Sequence, residues 1–236
     1  MFRFILKVGL LWFFLLTLFQ GGTALANHQV DQIEAGLSDA VGELAKAKLQ
    51  DALSDRDQAY AYFLVAVYNH DPTARQKAEA LYTRLDTPEG EAFLGSLMML
   101  KARDWEGGVL QVFKRKRLVQ QGIEQLDQMA RAHPEDPQVH IIRAISYLGL
   151  PAFFGRFNDG LADMEQVIRW MDGGKIKVPQ EELLFRDRSS LYYYAGRYYL
   201  KQGEREKAKE MFSKANASNF HTPFAAAARK RIAALS

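Results

Sequence analysis

The chain contains no cysteine. That excludes disulfides, thiolate metal ligands, thiol nucleophiles and a lipid-modified cysteine anchor. Signals for β-structure are nearly as scarce. There is no sustained Val/Ile/Thr alternation, and no Asn-Gly or Asp-Gly pair is set between such runs to make a hairpin. Motifs of catalysis are missing too: no Gly-x-Ser-x-Gly elbow, no phosphate loop, and no strand before Gly107-Gly108 or Gly173-Gly174 to build a dinucleotide site. The histidines (His28, His70, His133, His140 and His221) form no i,i+4 pair, so metal-ligand spacing is lacking. Asp163 and Glu165, two apart on a helix, point to different faces. No catalytic residue, metal or cofactor is expected, and the chain reads as a binding protein rather than an enzyme.

What is present begins with "MFRFILKVGLLWFFLLTLFQGGTALA". Arg3 and Lys7 give a positive start, Val8 to Phe19 is apolar or neutral, and Ala24-Leu25-Ala26 is a small-x-small ending. This is the three-part pattern of a secretory signal peptide, with cleavage expected after Ala26. The rival reading is an uncleaved anchor, but the apolar run falls short of the roughly 20 residues a spanning helix needs. Residues 1–26 are therefore expected to be a leader and 27–236 one exported domain, most simply periplasmic, with no transmembrane segment after cleavage. The full chain has 31 basic and 28 acidic residues, net +3. The leader holds two of the basic residues and none of the acidic ones, so the mature chain is nearly neutral and no nucleic-acid partner is expected.

Helix starts recur along the rest. Asp71-Pro72, Thr87-Pro88, Asp136-Pro137 and Thr222-Pro223 each pair a side-chain acceptor with a proline at the first helical position. Periodicity predicts helices near 56–70, 72–85, 88–103, 114–132, 137–149, 158–171, 180–201, 204–217 and 223–235. Ahead of them, Val30, Ile33, Leu37, Val41 and Leu44 form one apolar stripe. The expected fold class is all-α.

The segment "LYYYAGRYYLKQGEREKAKEMF" shows how the helices pair. Tyr192, Ala195, Gly196 and Tyr199 lie on one helix, Gly203 at the turn, and Ala208, Phe212 and Ala215 on the next. Small residues let two antiparallel helices touch while aromatics fill the flanking gaps. The pattern resembles the tetratricopeptide (TPR) unit, with the match strongest over 189–222. Tyr62, Val65, Ala66, Ala78, Tyr82 and Leu85 fit the same frame. Glu91, Leu94, Gly95 and Met98 pair with Gly122, Leu126, Met129 and Pro134 across an insertion of about fifteen residues. Ala144 and Tyr147 open a further unit, which "LPAFFGRF" stretches before Leu161, Met164 and Ile168. The resemblance implies a solenoid of about four helix pairs with a leading helix and a capping helix at 223–235. "FLGSLMMLKARDW" and "GIEQLDQMARAHPEDPQVHIIRAISYLGLPAFFGR" are similar to exported bacterial TPR-like proteins of unknown activity.

The resemblance also implies a groove along the inner helices. On that frame the groove-lining positions include Tyr193, Arg197 and Lys201 in the last unit, Ile141, Ile145 and Leu148 in the third, Ala92, Ser96 and Met99 in the second, and Tyr60, Phe63 and Val67 in the first. Arg197 and Lys201 would clamp carboxylates of a protein or peptide of the cell envelope. The alternatives are that the tyrosines are packed inside, or that the insertions at 104–113 and 150–157 close the groove around a small molecule, as in an accessory to a transport system. Homo-oligomerisation through the groove or the capping helix is a third possibility. "FKRKRL" (113–118) is expected to be the solvated start of a helix, with contact to anionic lipid or phosphate the minor reading. Phe153, Phe154 and Phe157 are expected to tuck under the stack rather than form an exposed patch.

Overall fold

Each of the four proline-marked starts begins a helix, and each has its cap. In the computed structural model, which describes residues 24–51, 53–105, 111–176, 187–218 and 221–235, the Asp71 carboxylate accepts from the Thr73 and Ala74 N–H groups at 2.8 and 3.0 Å. Asp136 does the same for Gln138 and Val139. The Thr87 and Thr222 hydroxyls accept from Gly90 and Ala225. Two otherwise orphaned donors per Asp cap, and one per Thr cap, are thereby satisfied.

The helices are α1 (Ala24–Lys48), α2 (Asp55–Tyr68), α3 (Pro72–Leu85), α4 (Pro88–Arg103), α5 (Val112–Ala132), α6 (Pro137–Leu148), α7 (Phe157–Asp172), α8 (Arg188–Gln202), α9 (Arg205–Ser218) and α10 (Pro223–Leu235), with a 3₁₀ turn at Ala152–Phe154. No strand occurs among the described residues. Consecutive helices pack as the pairs α2/α3, α4/α5, α6/α7 and α8/α9. The all-α, solenoid-like stack of paired helices expected from the sequence is thus observed. The expected leader lies outside the described residues except for Ala24–Ala26, which begin α1. The expected helix over 180–201 is seen from Arg188, and its earlier part is also outside them.

Close backbone approach holds the pairs together. A Cβ on Gly122 would stand 2.5 Å from the Gly95 carbonyl oxygen, and one on Gly196 would stand 2.7 Å from the Phe212 ring. Phe212, Ala208 and Ala215 have no exposed surface, as the repeat frame requires. Between units, Tyr82 of α3 stacks on Phe93 of α4 with centroids 4.5 Å apart. A buried polar chain joins the middle units. Asp163 of α7 accepts from Arg143 at 2.6 and 2.8 Å and lies 2.7 Å from His140 Nδ1. Arg143 and the Tyr147 hydroxyl both reach back to Asp127 of α5.

The stack also closes on itself. α1 packs on α2 at one end and on α10 at the other, while α10 packs on α8 and α9. The Tyr68 and Tyr194 hydroxyls, from the first and last units, meet at 2.7 Å. The apolar seam of α1 differs from expectation at its last member. Leu44 is 44% exposed and Ala45 is buried instead, because the seam follows strict four-residue spacing through Ile33, Leu37 and Val41.

The α8 start carries a titratable cap. Asp187 is buried and accepts from the Ser190 N–H at 2.6 Å. Burial pushes its carboxyl up to about 6, although the Ser189 and Ser190 N–H groups oppose the shift.

Three outcomes follow for stability. Gly122→Val is expected to destabilise by about 1–3 kcal/mol through overpacking at the α4/α5 contact, measured by urea denaturation. Asp163→Ala, which leaves the half-buried Arg143 with Asp127 as its remaining partner and removes the acceptor at His140, should cost about 1–3 kcal/mol by the same assay. The native Asp187 holds a proton that the unfolded chain, with an ordinary Asp pKa near ~3.9, has released. Its contribution therefore falls as pH rises from about 4 to about 6 and is flat above. Asp187→Asn, which keeps a capping oxygen, should flatten that interval.

Candidate functional site

The groove expected along the first helices of the pairs, α2, α4, α6 and α8, is not continuous. α1 covers the α8 end. Its Glu34 carboxylate accepts from the Tyr193 hydroxyl at 2.7 Å, pairs with Arg197 at 3.3 Å and receives a hydrogen bond from Arg231 of α10. Burial alone would raise the Glu34 carboxyl. The charges of Arg197 and Arg231 and the hydrogen bonds from Tyr193 and Arg231 more than offset it, so its pKa lies below the usual carboxylate range.

Tyr193 and Arg197, one turn apart on α8, therefore share a face, and that face meets α1. Tyr193 has no exposed surface, and its ring packs against Phe212 and Phe224 with centroids 5.4 and 5.7 Å away. Arg197 is half-buried over the Tyr194 ring. Lys201 lies further along, exposed over most of its side chain, with its ammonium partly buried where it donates to the Leu148 carbonyl at 2.7 Å. Burial of its ammonium and the nearby Arg197 charge hold its pKa below the ordinary lysine value.

The surface shared by α2, α4 and α6 is apolar. Phe63 of α2 and Ile141 and Ile145 of α6 converge on a recess whose remaining wall includes Tyr60, Phe93 and Ser96. The Ser96 and Ser146 hydroxyls hydrogen-bond across it from α4 to α6. Phe63 and Ile141 are buried and Ile145 is half-exposed, so the recess reaches solvent at the α6 side. Its interior is about 20 Å³, room for a water molecule. Met99 is not part of it. It follows Gly95 by four residues, which puts it on the pairing face, where it lies over Gly122.

The anticipated residues thus separate into an apolar group (Phe63, Ile141, Ile145), an intramolecular polar group (Tyr193, Arg197), a peripheral Lys201 and the packed Met99. Glu34, Arg231 and Tyr68 went unanticipated, because their partners lie on helices far away in the chain. The Asp163–His140–Arg143 cluster was missed for a different reason. The α7 spacing showed that Asp163 faces away from Glu165, but not that it faces inward.

The insertions also differ from expectation. Phe154 and Phe157 are half-buried, but Phe153 is 66% exposed at the tip of the 3₁₀ turn, so the connection does not tuck all its aromatics away. A three-residue turn that leaves the stack at Pro151 and returns at Gly155 has no second layer to cover its outermost ring. Residues 106–110 of the other insertion are outside the described residues.

No family model matches the chain, and searches of curated proteins and of solved structures find no match either. Among the described residues no helix is long and apolar enough to cross a membrane.

The Glu34 cluster gives a quantitative expectation. A double-mutant cycle on Glu34→Gln and Arg231→Gln, read by denaturant midpoint, should show coupling of about 1–3 kcal/mol. Because the native Glu34 pKa is lowered, that coupling is present above the unfolded carboxylate pKa and is lost as pH falls through the native one.

Proposed function

We propose that the protein is a TPR-like scaffold of the cell envelope that binds an apolar segment of a partner protein in the recess between α2, α4 and α6. The observation that carries this reading is the convergence of Phe63, Ile141 and Ile145, from helices of different units, on an opening that reaches solvent. Apolar anchors set among polar rim groups are how helical grooves take a partner's helix or extended segment. Here the rim is supplied by Gln138 and the Ser96–Ser146 pair. The small interior supports a docked side chain from a larger partner over an enclosed small molecule, since ligand pockets run to roughly 300–1,000 Å³. Export to the periplasm rests on the leader pattern of residues 1–26. On this reading the protein recognises and positions a partner and carries out no chemistry itself. The carboxylate clamp expected of Arg197 is instead occupied within the chain by Glu34.

The test is in-cell photo-crosslinking from a probe at Gln138, with adducts identified by mass spectrometry. The expected result is a discrete envelope-protein adduct that disappears in Ile145→Asp and persists in Lys207→Glu. Binding of the purified partner should weaken at least about 30-fold in Ile145→Asp, the loss of a central anchor. A folded, exported probe that yields no adduct contradicts the reading.

A further inference from the structure

One surface of the stack is built against the interest of its own helix. α5 begins Val-Phe-Lys-Arg-Lys-Arg, placing four cations in its first two turns, and its first turn contains no acidic residue. Cations at that end oppose the helix dipole, where anions would stabilise. Gln111 at the N-cap contributes no side-chain hydrogen bond. Arg115 has an internal role, donating to the Ala102 carbonyl at the end of α4. Lys114, Lys116 and Arg117 are exposed and form no ion pair among the described residues. Beside them, Val112 is 53% and Phe113 80% exposed.

The second part of this surface comes from elsewhere in the chain. Phe153 and Phe154 of the 3₁₀ turn, with rings 4.4 Å apart, meet α5 at a recess of about 270 Å³ lined also by Lys116, Gln120 and Arg156. Phe113, Lys116 and Gln120 are spaced by three and four residues and so share one stripe of α5. That stripe brings Phe113 to the same side of the molecule as Phe153. Arg156 is paired with Asp127 and Asp159, and Glu124 is the recess's one acidic lining residue. Exposed aromatics beside unpaired cations are thus gathered at α5, around a recess that shares no lining residue with the one between α2, α4 and α6.

We propose that this face docks on an anionic phospholipid bilayer. Phe113 and Phe153 enter the boundary between headgroups and acyl chains, while Lys114, Lys116 and Arg117 contact the phosphates. Peripheral anchoring requires two signals, an apolar one and a basic one, and this face supplies both. The local costs in α5, unfavourable for the isolated fold, are offset when the anionic surface is present. The proposal is independent of what the concave recess binds.

Because the chain has no cysteine, a single Gln120→Cys substitution gives a unique attachment point for an environment-sensitive fluorophore, with Lys207→Cys on α9 as a control away from α5. The full chain is titrated with vesicles of phosphatidylcholine alone and with about a quarter phosphatidylglycerol. The expected result is a blue shift of the Gln120 label with the anionic vesicles only, reversed by high salt, and none at the Lys207 label. Reversal of Lys114, Lys116 and Arg117 to Glu should lower partitioning about a hundred-fold or more, at roughly fivefold for each cation removed, with helicity by circular dichroism unchanged. A second variant, Phe113→Ser with Phe153→Ser, should also weaken it. A shift that appears equally with neutral vesicles, or that survives the charge reversal, overturns the proposal. So does a label that responds to an acidic peptide or RNA and not to vesicles.

Discussion

A single carboxylate ties the leading helix of this protein to its last helices. Glu34 sits between the guanidinium groups of Arg197 and Arg231 and the hydroxyl of Tyr193, and so joins the leading helix to the last repeat and to the capping helix. Arg231 is buried there, and its charge has little access to water. Two cations converging on one anion are tolerable in that setting only while the anion is present; removing it would leave buried positive charge uncompensated. The apolar seam of Ile33, Leu37, Val41 and Ala45 supplies adhesion for α1, which packs on α2 and α10, and the carboxylate adds polar links to α8 and α10. With α1 in place, the Tyr68–Tyr194 contact brings the first and last units together.

This closure divides the surface into parts of different chemistry. The α8 face that carries Tyr193 becomes interior, so tyrosines expected to line an open groove support an intramolecular helix. The part over α2, α4 and α6 retains an opening edged by Ile145 and floored by Phe63 and Ile141. The outer helix α5 offers a different chemistry, with cations and aromatics that no other described element covers. On the proposed reading, the apolar recess and the basic-aromatic strip give the protein two separable ways to be positioned.

Much of this was legible from local pattern. The Asp-Pro and Thr-Pro pairs marked helix starts because capping is a property of four consecutive residues. Gly196 with Phe212, and Gly95 with Gly122, marked paired helices because close approach constrains side-chain size whatever the rest of the chain does. Tyr193 and Arg197 were correctly placed on one face, since spacing alone fixes that. What lies opposite them was not legible. Glu34 is separated from Tyr193 by 159 residues, and nothing in either segment records the other. Asp163 read only as a carboxylate on a different face from Glu165, because its partners, His140 and Arg143, belong to the preceding helix. The exposure of Phe153 was equally hidden, for composition says that a phenylalanine prefers burial and not whether a three-residue turn can provide it.

The central claim is that Glu34 clasps α1 to the last helix pair and the capping helix, and amide hydrogen exchange on the intact chain tests it most directly. With Glu34 in place, the amides of α1 should be protected to the same degree as those of α8, because both open only when the ring opens. In Glu34→Ala, α1 should lose protection first and by the largest factor, with α10 following, while α4 and α5 remain as they were. An α1 that exchanges freely in the unaltered protein, or whose protection is the same with and without Glu34, would contradict the account.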